Sequence, residues 1–83
     1  MILKDLLDLC CDEVINVFYG DHYGYWELAY NDAKGDYDIT YYSQNNNNVP
    51  LPLDAQVEKF YASTRLDDYS DVVGETYIQI KRG

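Results

Sequence analysis

Three short runs rich in β-branched and aromatic residues, separated by turn sequences, constrain this chain more than any other feature. The runs are VINVFY (14–19), YWELAY (25–30) and YDITYY (37–42), and the turn sequences GDHYG and NDAKGD lie between them. Connections this short cannot cross over a sheet, so neighbouring strands must run antiparallel. The sequence therefore predicts a meander of three strands, with VINVFY as a central strand buried on both faces.

Alternation within the second and third runs assigns their side chains to opposite faces of the sheet. We expect one face to pack in the core, with Tyr30 and Tyr41 as the core tyrosines. A register shift of one residue would exchange the two faces. On the solvent side we expect Tyr25, Tyr42 and Tyr77, or, with the shifted register, Tyr37 and Tyr41.

The segments around the meander complete the set of elements. Apolar residues recur at helical spacing over 2–11 and predict a helix of about three turns that covers one face of the sheet. Residues 43–56 contain four consecutive Asn and two Pro and predict a surface loop. The segment 57–63 fits either a helix capped by Asp54 or a strand, and its aromatic content favours the strand. A last strand is predicted over 75–82, with Ile78 and Ile80 pointing inward.

These elements predict an α+β fold in which an N-terminal helix packs on a small antiparallel sheet of about five strands. The length of 83 residues predicts a single domain spanning 1–83. Cys10 and Cys11 are neighbours, which rarely bridge each other, so we expect free buried thiols and a reducing, cytoplasmic location. Charges interrupt the apolar start of the chain, which argues against a signal peptide, and no stretch approaches the ~20 apolar residues of a membrane span.

Catalytic and metal-binding patterns are absent from the sequence. The single His, His22, lies in a turn beside Asp21, and no Ser or Cys stands at a known nucleophile spacing from it. An enzyme that uses His22 with nearby carboxylates is the less favoured alternative. We expect His22 to be a surface residue of this turn. The acidic segments NDAKGDYD and DDYSDVVGE both fail the ligand spacing of a calcium loop. We therefore expect no enzyme activity, no metal and no cofactor.

The charge of the chain indicates its kind of partner. Fifteen acidic residues against six basic ones give a net charge of −9, which disfavours direct binding to nucleic acid or to an anionic membrane. Tyrosines beside carboxylates suit a surface that docks on a basic protein, because rings stack on guanidinium planes and carboxylates pair with Arg and Lys. The residues predicted to contact this partner are Asp21, Tyr23, Asp32, Asp36, Asp38, Asp67, Asp68, Tyr69 and Asp71.

The layout of the chain resembles a family of small acidic proteins encoded in phages and prophages of Firmicutes. The resemblance rests on MxLKDLLD at the start, VINVFY, the meander, PLDAQVEKFYAS (52–63) and YIQIK (77–81). It carries no motif that assigns a functional residue. Some small acidic phage proteins inhibit host defence, including anti-CRISPR proteins that block the entry of DNA into an effector nuclease. The resemblance thus implies an inhibitor that occupies a nucleic-acid-binding groove. The alternative is an assembly module that homodimerises through a tyrosine-rich sheet face.

Overall fold

The strand VINVFY occupies the middle of the sheet, as predicted. The computed structural model describes residues 1–10, 12–20, 24–42, 50–66 and 68–81. In this part of the chain the elements are α1 (Leu3–Leu9), β1 (Val14–Tyr19), β2 (Tyr25–Asn31), β3 (Asp36–Tyr42), β4 (Val57–Leu66) and β5 (Val72–Ile80). The strands form one sheet in the order β3-β2-β1-β5-β4. The fold is therefore the predicted small α+β fold.

The sheet is mixed rather than wholly antiparallel. The pairs β1–β2, β2–β3 and β4–β5 are antiparallel, but β1 and β5 are parallel, with Val14 opposite Glu75 and Tyr19 opposite Ile80. Consecutive strands on short turns account for the antiparallel pairs. The chain then passes from β3 at one edge of the sheet to β4 at the other, which places β5 beside β1 in the same direction.

The bounds of several elements differ from their predicted ones. The helix is shorter than 2–11 because Ile2 bridges to Gln56, and because the backbone is extended at Cys10, where the chain leaves for β1. The ambiguous segment 57–63 is a strand, as favoured. β4 continues to Leu66, beyond its predicted end at residue 63, and β5 begins at Val72, before its predicted start at residue 75, so the two strands form a hairpin. Of the predicted loop 43–56, residues 43–49 lie outside the described part of the chain.

The core lies between α1 and one face of the sheet. The helix buries Leu3 and Leu6 there, and Trp26 is fully buried beneath it. Ile78 and Ile80 point inward, as the alternation in β5 predicts. Burial of each such side chain contributes about 1.5–3 kcal/mol relative to its exposed state. The core cluster comprises Leu3, Leu6, Ile15, Val17, Trp26, Leu28, Ile78 and Ile80.

The prediction that Tyr30 and Tyr41 are core tyrosines is wrong, since their side chains are 46% and 54% exposed. The register between β2 and β3 shifts between Glu27 and Leu28, so Tyr41 lies opposite Glu27 and faces away from the helix. Such an extra residue exchanges the face of every side chain beyond it. Tyr30 lies on the face of the sheet that α1 covers, but a groove separates the two. The Tyr30 ring packs edge-on against Tyr37 and does not enter the core.

Candidate functional site

The topology brings two acidic hairpin turns to the same end of the sheet. β2 ends and β5 begins near the level of Val14, the first residue of β1, which lies opposite both Ala29 and Glu75. The β2–β3 turn, the β4–β5 turn and the residues that lead into β1 therefore lie along one edge. This "acidic edge" comprises Asp12, Glu13, Asp32, Asp36, Asp38, Asp68 and Asp71.

The β2–β3 turn is built by a few local hydrogen bonds. The carbonyl oxygen of Asn31 accepts bonds from the amides of Lys34 and Gly35, at 3.1 and 2.9 Å, and its side-chain oxygen accepts one from Ala33. Gly35 has a φ of +69°, a conformation that a side chain disfavours. These bonds fix the turn and leave Asp32 and Asp36 exposed at its surface.

A single lysine moderates the charge of this turn. The ammonium group of Lys34 donates to Asp38, which also accepts a bond of 2.9 Å from the Asn31 amide. The bonds from Lys34 and Asn31 lower the pKa of Asp38 below its usual value, so this carboxylate stays ionised at neutral pH. Within the described part of the chain, no ion pair reaches Asp32, Asp36 or Asp68. The edge is therefore strongly anionic.

The β4–β5 turn projects furthest from the sheet. Glu75 lies opposite Val14, the first residue of β1, and β5 begins three residues before Glu75. The hairpin therefore extends roughly 10 Å beyond the start of β1. Tyr69 in this turn is 86% exposed, and Asp68 and Asp71 are exposed beside it. An exposed ring between carboxylates is the arrangement that the sequence predicts for contact with a basic partner.

The structure brings together most, but not all, of the predicted contact residues. The acidic edge unites Asp32, Asp36, Asp38, Asp68, Tyr69 and Asp71. Asp21, Tyr23 and Asp67 lie outside the described residues, as does His22. The strand ends that flank residues 21–23 are Tyr19 and Tyr25, and they lie at the end of the sheet opposite the acidic edge.

The sheet face opposite the helix, here called the open face, carries a charged network that the sequence does not reveal. Arg65 on β4 places its Nε 2.6 Å from a carboxylate oxygen of Glu75 and its Nη2 3.6 Å from one of Glu27. Glu75 is almost completely buried, and the guanidinium of Arg65 compensates its charge. Arg65 and Glu75 meet within the β4–β5 hairpin, whereas the contact of Arg65 with Glu27 on β2 depends on the strand order.

Two tyrosines of the open face, Tyr25 and Tyr77, donate hydrogen bonds to side chains of the sheet. The hydroxyl of Tyr25 donates to the side-chain oxygen of buried Asn16, and burial together with Glu27 raises the pKa of Tyr25 to about 12. A hydrogen bond to Glu75, together with burial, raises the pKa of Tyr77. Both phenols are therefore protonated at neutral pH and available as hydrogen-bond donors.

Aromatic pairs cover the open face. Tyr61 and Tyr77 stack with ring centres 5.2 Å apart, and Tyr25 meets Tyr41 edge-on at 5.9 Å. Tyr25 and Tyr77 occupy the solvent side, as predicted, and the register shift adds Tyr41 to them. The side chain of Tyr42 lies outside the described residues. The alternation of side chains along β4 indicates the face of Tyr61, but it does not indicate that the ring stacks on Tyr77.

Other functional features are not found in the part of the chain that the structure describes. No group of three His, Cys, Asp or Glu side chains there is arranged to hold a metal ion. The seven-residue helix α1 is too short to cross a membrane, and no other described segment forms a spanning helix. The side chain of Cys10 is half-buried. Comparison with protein-family models, with curated proteins and with solved structures gives no match.

Proposed function

We propose that this chain is a non-enzymatic acidic binding protein that occupies the basic nucleic-acid-binding groove of a host nuclease, such as a CRISPR effector. The observation that carries the proposal is the acidic edge, where two hairpin turns and the lead into β1 present carboxylates, with Lys34 and Arg65 as the cations described at this end of the sheet. The protein would act in the bacterial cytoplasm, where such nucleases operate.

The dimensions of the acidic edge support mimicry of a nucleic-acid backbone. Strands in a sheet are ~4.8 Å apart, so five strands present carboxylates across roughly 19 Å. A single DNA strand places one phosphate about every 3.4 Å along the helix axis, so the edge spans the length of about five to six phosphates. Arg and Lys side chains that bind phosphates also bind carboxylates, often through two parallel hydrogen bonds.

A matched pair of variants tests the proposal. The edge variant replaces Asp32, Asp36 and Asp68 by Asn. The control variant replaces Asp5 and Asp54 by Asn and Glu58 by Gln, all of which are exposed and lie away from the acidic edge. Both variants have the same net charge, so any difference between them reports position rather than total charge.

Binding is measured against a purified CRISPR effector nuclease from a Firmicutes host, together with competition for its DNA. We expect the edge variant to bind at least tenfold more weakly, a loss of about 1.4 kcal/mol, and the control variant to bind nearly as well as the natural chain. Binding should weaken as salt rises to ~0.5 M, where exposed charges are screened. Equal losses in both variants, or binding that is unaffected by salt, would contradict the proposal.

A second candidate function is an assembly module that homodimerises through its open face. Tyr25, Tyr61 and Tyr77 line a shallow groove of about 320 Å³ there, together with Phe18. Tyrosine is enriched at protein interfaces because it supplies a large rigid surface and a hydroxyl group. Light scattering separates the two candidates, since a monomer at every concentration removes this one. In a dimer of this kind, Tyr41→Ala should weaken association.

A further inference from the structure

The outer edge of β4 is the most exposed regular segment of the molecule. β4 has ten residues and is the terminal strand of the sheet, and nine of these residues are exposed. Met1 and Ile2 cover the outer edge only at the start of β4, where the Val57 amide donates to the Met1 carbonyl. From Glu58 to Leu66, nothing in the described part of the chain pairs with this edge. Unpaired N–H and C=O groups on a long edge strand readily pair with another strand.

Apolar surface accompanies this unpaired edge. Phe60 is 56% exposed although it lies opposite buried Ile78, because α1 leaves a groove of about 390 Å³ between itself and β4. The groove is lined by Met1, Leu6, Leu9, Cys10, Phe60, Tyr61, Ala62 and Thr76. On the open face, Tyr61 stacks on Tyr77 and leaves its other side uncovered within the described residues. Both faces of β4 thus lack a neighbour at the outer edge.

We propose that the chain forms a homodimer in which β4 pairs antiparallel with β4 of a second copy, with Tyr61 opposite Tyr61. In this register Phe60 of each copy lies opposite Ala62 of the other, so that a large side chain meets a small one beside the groove. On the open face the two Tyr61 rings extend the stacked Tyr61–Tyr77 pairs into a row across the interface. Pairing over 58–64 in both copies adds about six backbone hydrogen bonds.

Charge favours a second copy as the occupant and favours the antiparallel direction. β4 carries Lys59 and Arg65 against Glu58, so it is the least acidic part of a chain whose net charge is −9. At one end of the β4–β5 hairpin Lys59 and Lys81 outnumber Glu58, and at the other end Asp68 and Asp71 are exposed while Arg65 is paired with Glu75. Antiparallel pairing places the basic end of one copy next to the acidic end of the other.

Neighbouring registers are less favourable. A shift of two residues towards the C-terminus places Lys59 opposite Arg65 of the second copy, and like charges directly opposite each other are destabilising. A shift of two residues in the other direction leaves only 58–62 to pair, because Met1 covers the edge before Glu58. A shift of one residue places the apolar face of one copy beside the open face of the other.

The register is tested by cysteine cross-linking in a variant that lacks Cys10 and Cys11. We expect Tyr61→Cys to form a disulfide-linked dimer. We also expect a mixture of Phe60→Cys and Ala62→Cys to cross-link to each other more strongly than either variant cross-links alone. Ile39→Cys on β3, at the opposite edge, is the control and should stay monomeric. Cross-linking of Tyr61→Cys without the Phe60–Ala62 pair would indicate contact through the open face and would overturn the edge pairing.

Light scattering from micromolar to millimolar concentration measures the association itself. We expect the natural chain to dimerise with concentration, Ala62→Lys to dissociate at least tenfold more readily, and Ile39→Lys to behave as the natural chain. Circular dichroism confirms that each variant is folded. A monomer at all concentrations, or a dimer unaffected by Ala62→Lys, would overturn the inference. The two proposals share Asp68 and Asp71 but have separate tests, because Ala62→Lys leaves the carboxylates of the acidic edge unchanged. Either proposal can therefore fail without the other.

Discussion

Arg65 ties distant parts of the sheet together on the open face. It projects from the edge strand β4, pairs with Glu75 on β5 at 2.6 Å and reaches Glu27 on β2. A buried carboxylate such as Glu75 is costly unless its charge is compensated by a hydrogen-bonded partner. Arg65 therefore stabilises the molecule mainly because its loss would leave Glu75 buried and unpaired.

Replacing Arg65 should be more damaging than replacing another cation on the same strand. We expect Arg65→Met to lower the free energy of unfolding by about 2 kcal/mol, because removal of the half-exposed guanidinium leaves the buried carboxylate of Glu75 without its partner. Lys59→Met, which removes an exposed cation from β4, should change it by less than about 0.5 kcal/mol. Urea denaturation measures both values. Adding Glu75→Gln to Arg65→Met should recover part of the loss, and no recovery would contradict this role.

Tyr25 makes the stability of the fold sensitive to alkaline pH. Its pKa is raised from 10.0 to about 12 in the folded chain, so the unfolded chain loses this proton at a lower pH. The unfolded state then binds fewer protons than the folded state, and the free energy of unfolding falls as pH rises from about 10 to 12. Below pH 10 the contribution is fully present.

The measurement is thermal unfolding over pH 8 to about 12, with phenolate absorbance followed in parallel. We expect Tyr25→Phe to be less stable at neutral pH, because its bond to Asn16 is lost, and to show a shallower decline above pH 10. Tyr69→Phe, which alters a tyrosine of the exposed β4–β5 turn, is the control. An unchanged alkaline slope in Tyr25→Phe would show that Tyr25 does not carry this pH dependence.

At the scale of elements, α1 stabilises the sheet through a narrow face. Leu3 and Leu6 are buried against the sheet, whereas Leu9 is 73% exposed. Ile2 provides no side-chain cap at the first turn, and a seven-residue helix is not stable alone in water. The helix therefore exists because it packs on the sheet.

Two leucine substitutions within α1 separate packing from helix propensity. Leu6→Ala should lower the free energy of unfolding by about 2–4 kcal/mol, because it removes buried methyl groups and leaves a cavity. Leu9→Ala should change it by less than about 0.5 kcal/mol, since Ala and Leu have similar helix propensities and Leu9 is exposed. Guanidinium denaturation gives both values. Similar losses in the two variants would contradict the described packing of α1.

At the scale of the whole molecule, negative charge is unevenly distributed. The net charge is −9, and two hairpin turns and the lead into β1 concentrate carboxylates along one edge of the sheet. Like charges repel and destabilise the compact state, most strongly at low salt. Binding of a basic partner, as proposed above, would relieve this repulsion.

Salt should therefore stabilise the isolated protein. We expect the unfolding temperature to rise by about 4–8 °C between low salt and ~0.5 M NaCl, which corresponds to roughly 1 kcal/mol for a domain of this size. The edge variant with three Asp→Asn substitutions should show a smaller rise and be at least as stable at low salt. A fall in unfolding temperature with salt would show that attractive ion pairs outweigh the repulsion.

The sequence by itself determined the elements and the sign of the charge. Alternation and short turns placed β1, β2 and β3 to within a residue at each end, and the inward direction of Ile78 and Ile80 followed from the same pattern. These features are local, since each depends on neighbouring residues and on the two-residue period of a strand. Several exposed carboxylates of the candidate site followed in the same way from turn sequences.

Tertiary structure alone decided which distant residues meet. The parallel pairing of β1 and β5 places both acidic turns at one edge, and the register shift beside Glu27 moves Tyr41 to the open face. The contact between Arg65 and Glu27 and the free edge of β4 likewise depend on strand order. Strand order and register are set by the packing of the whole core, so no local pattern in the sequence encodes them.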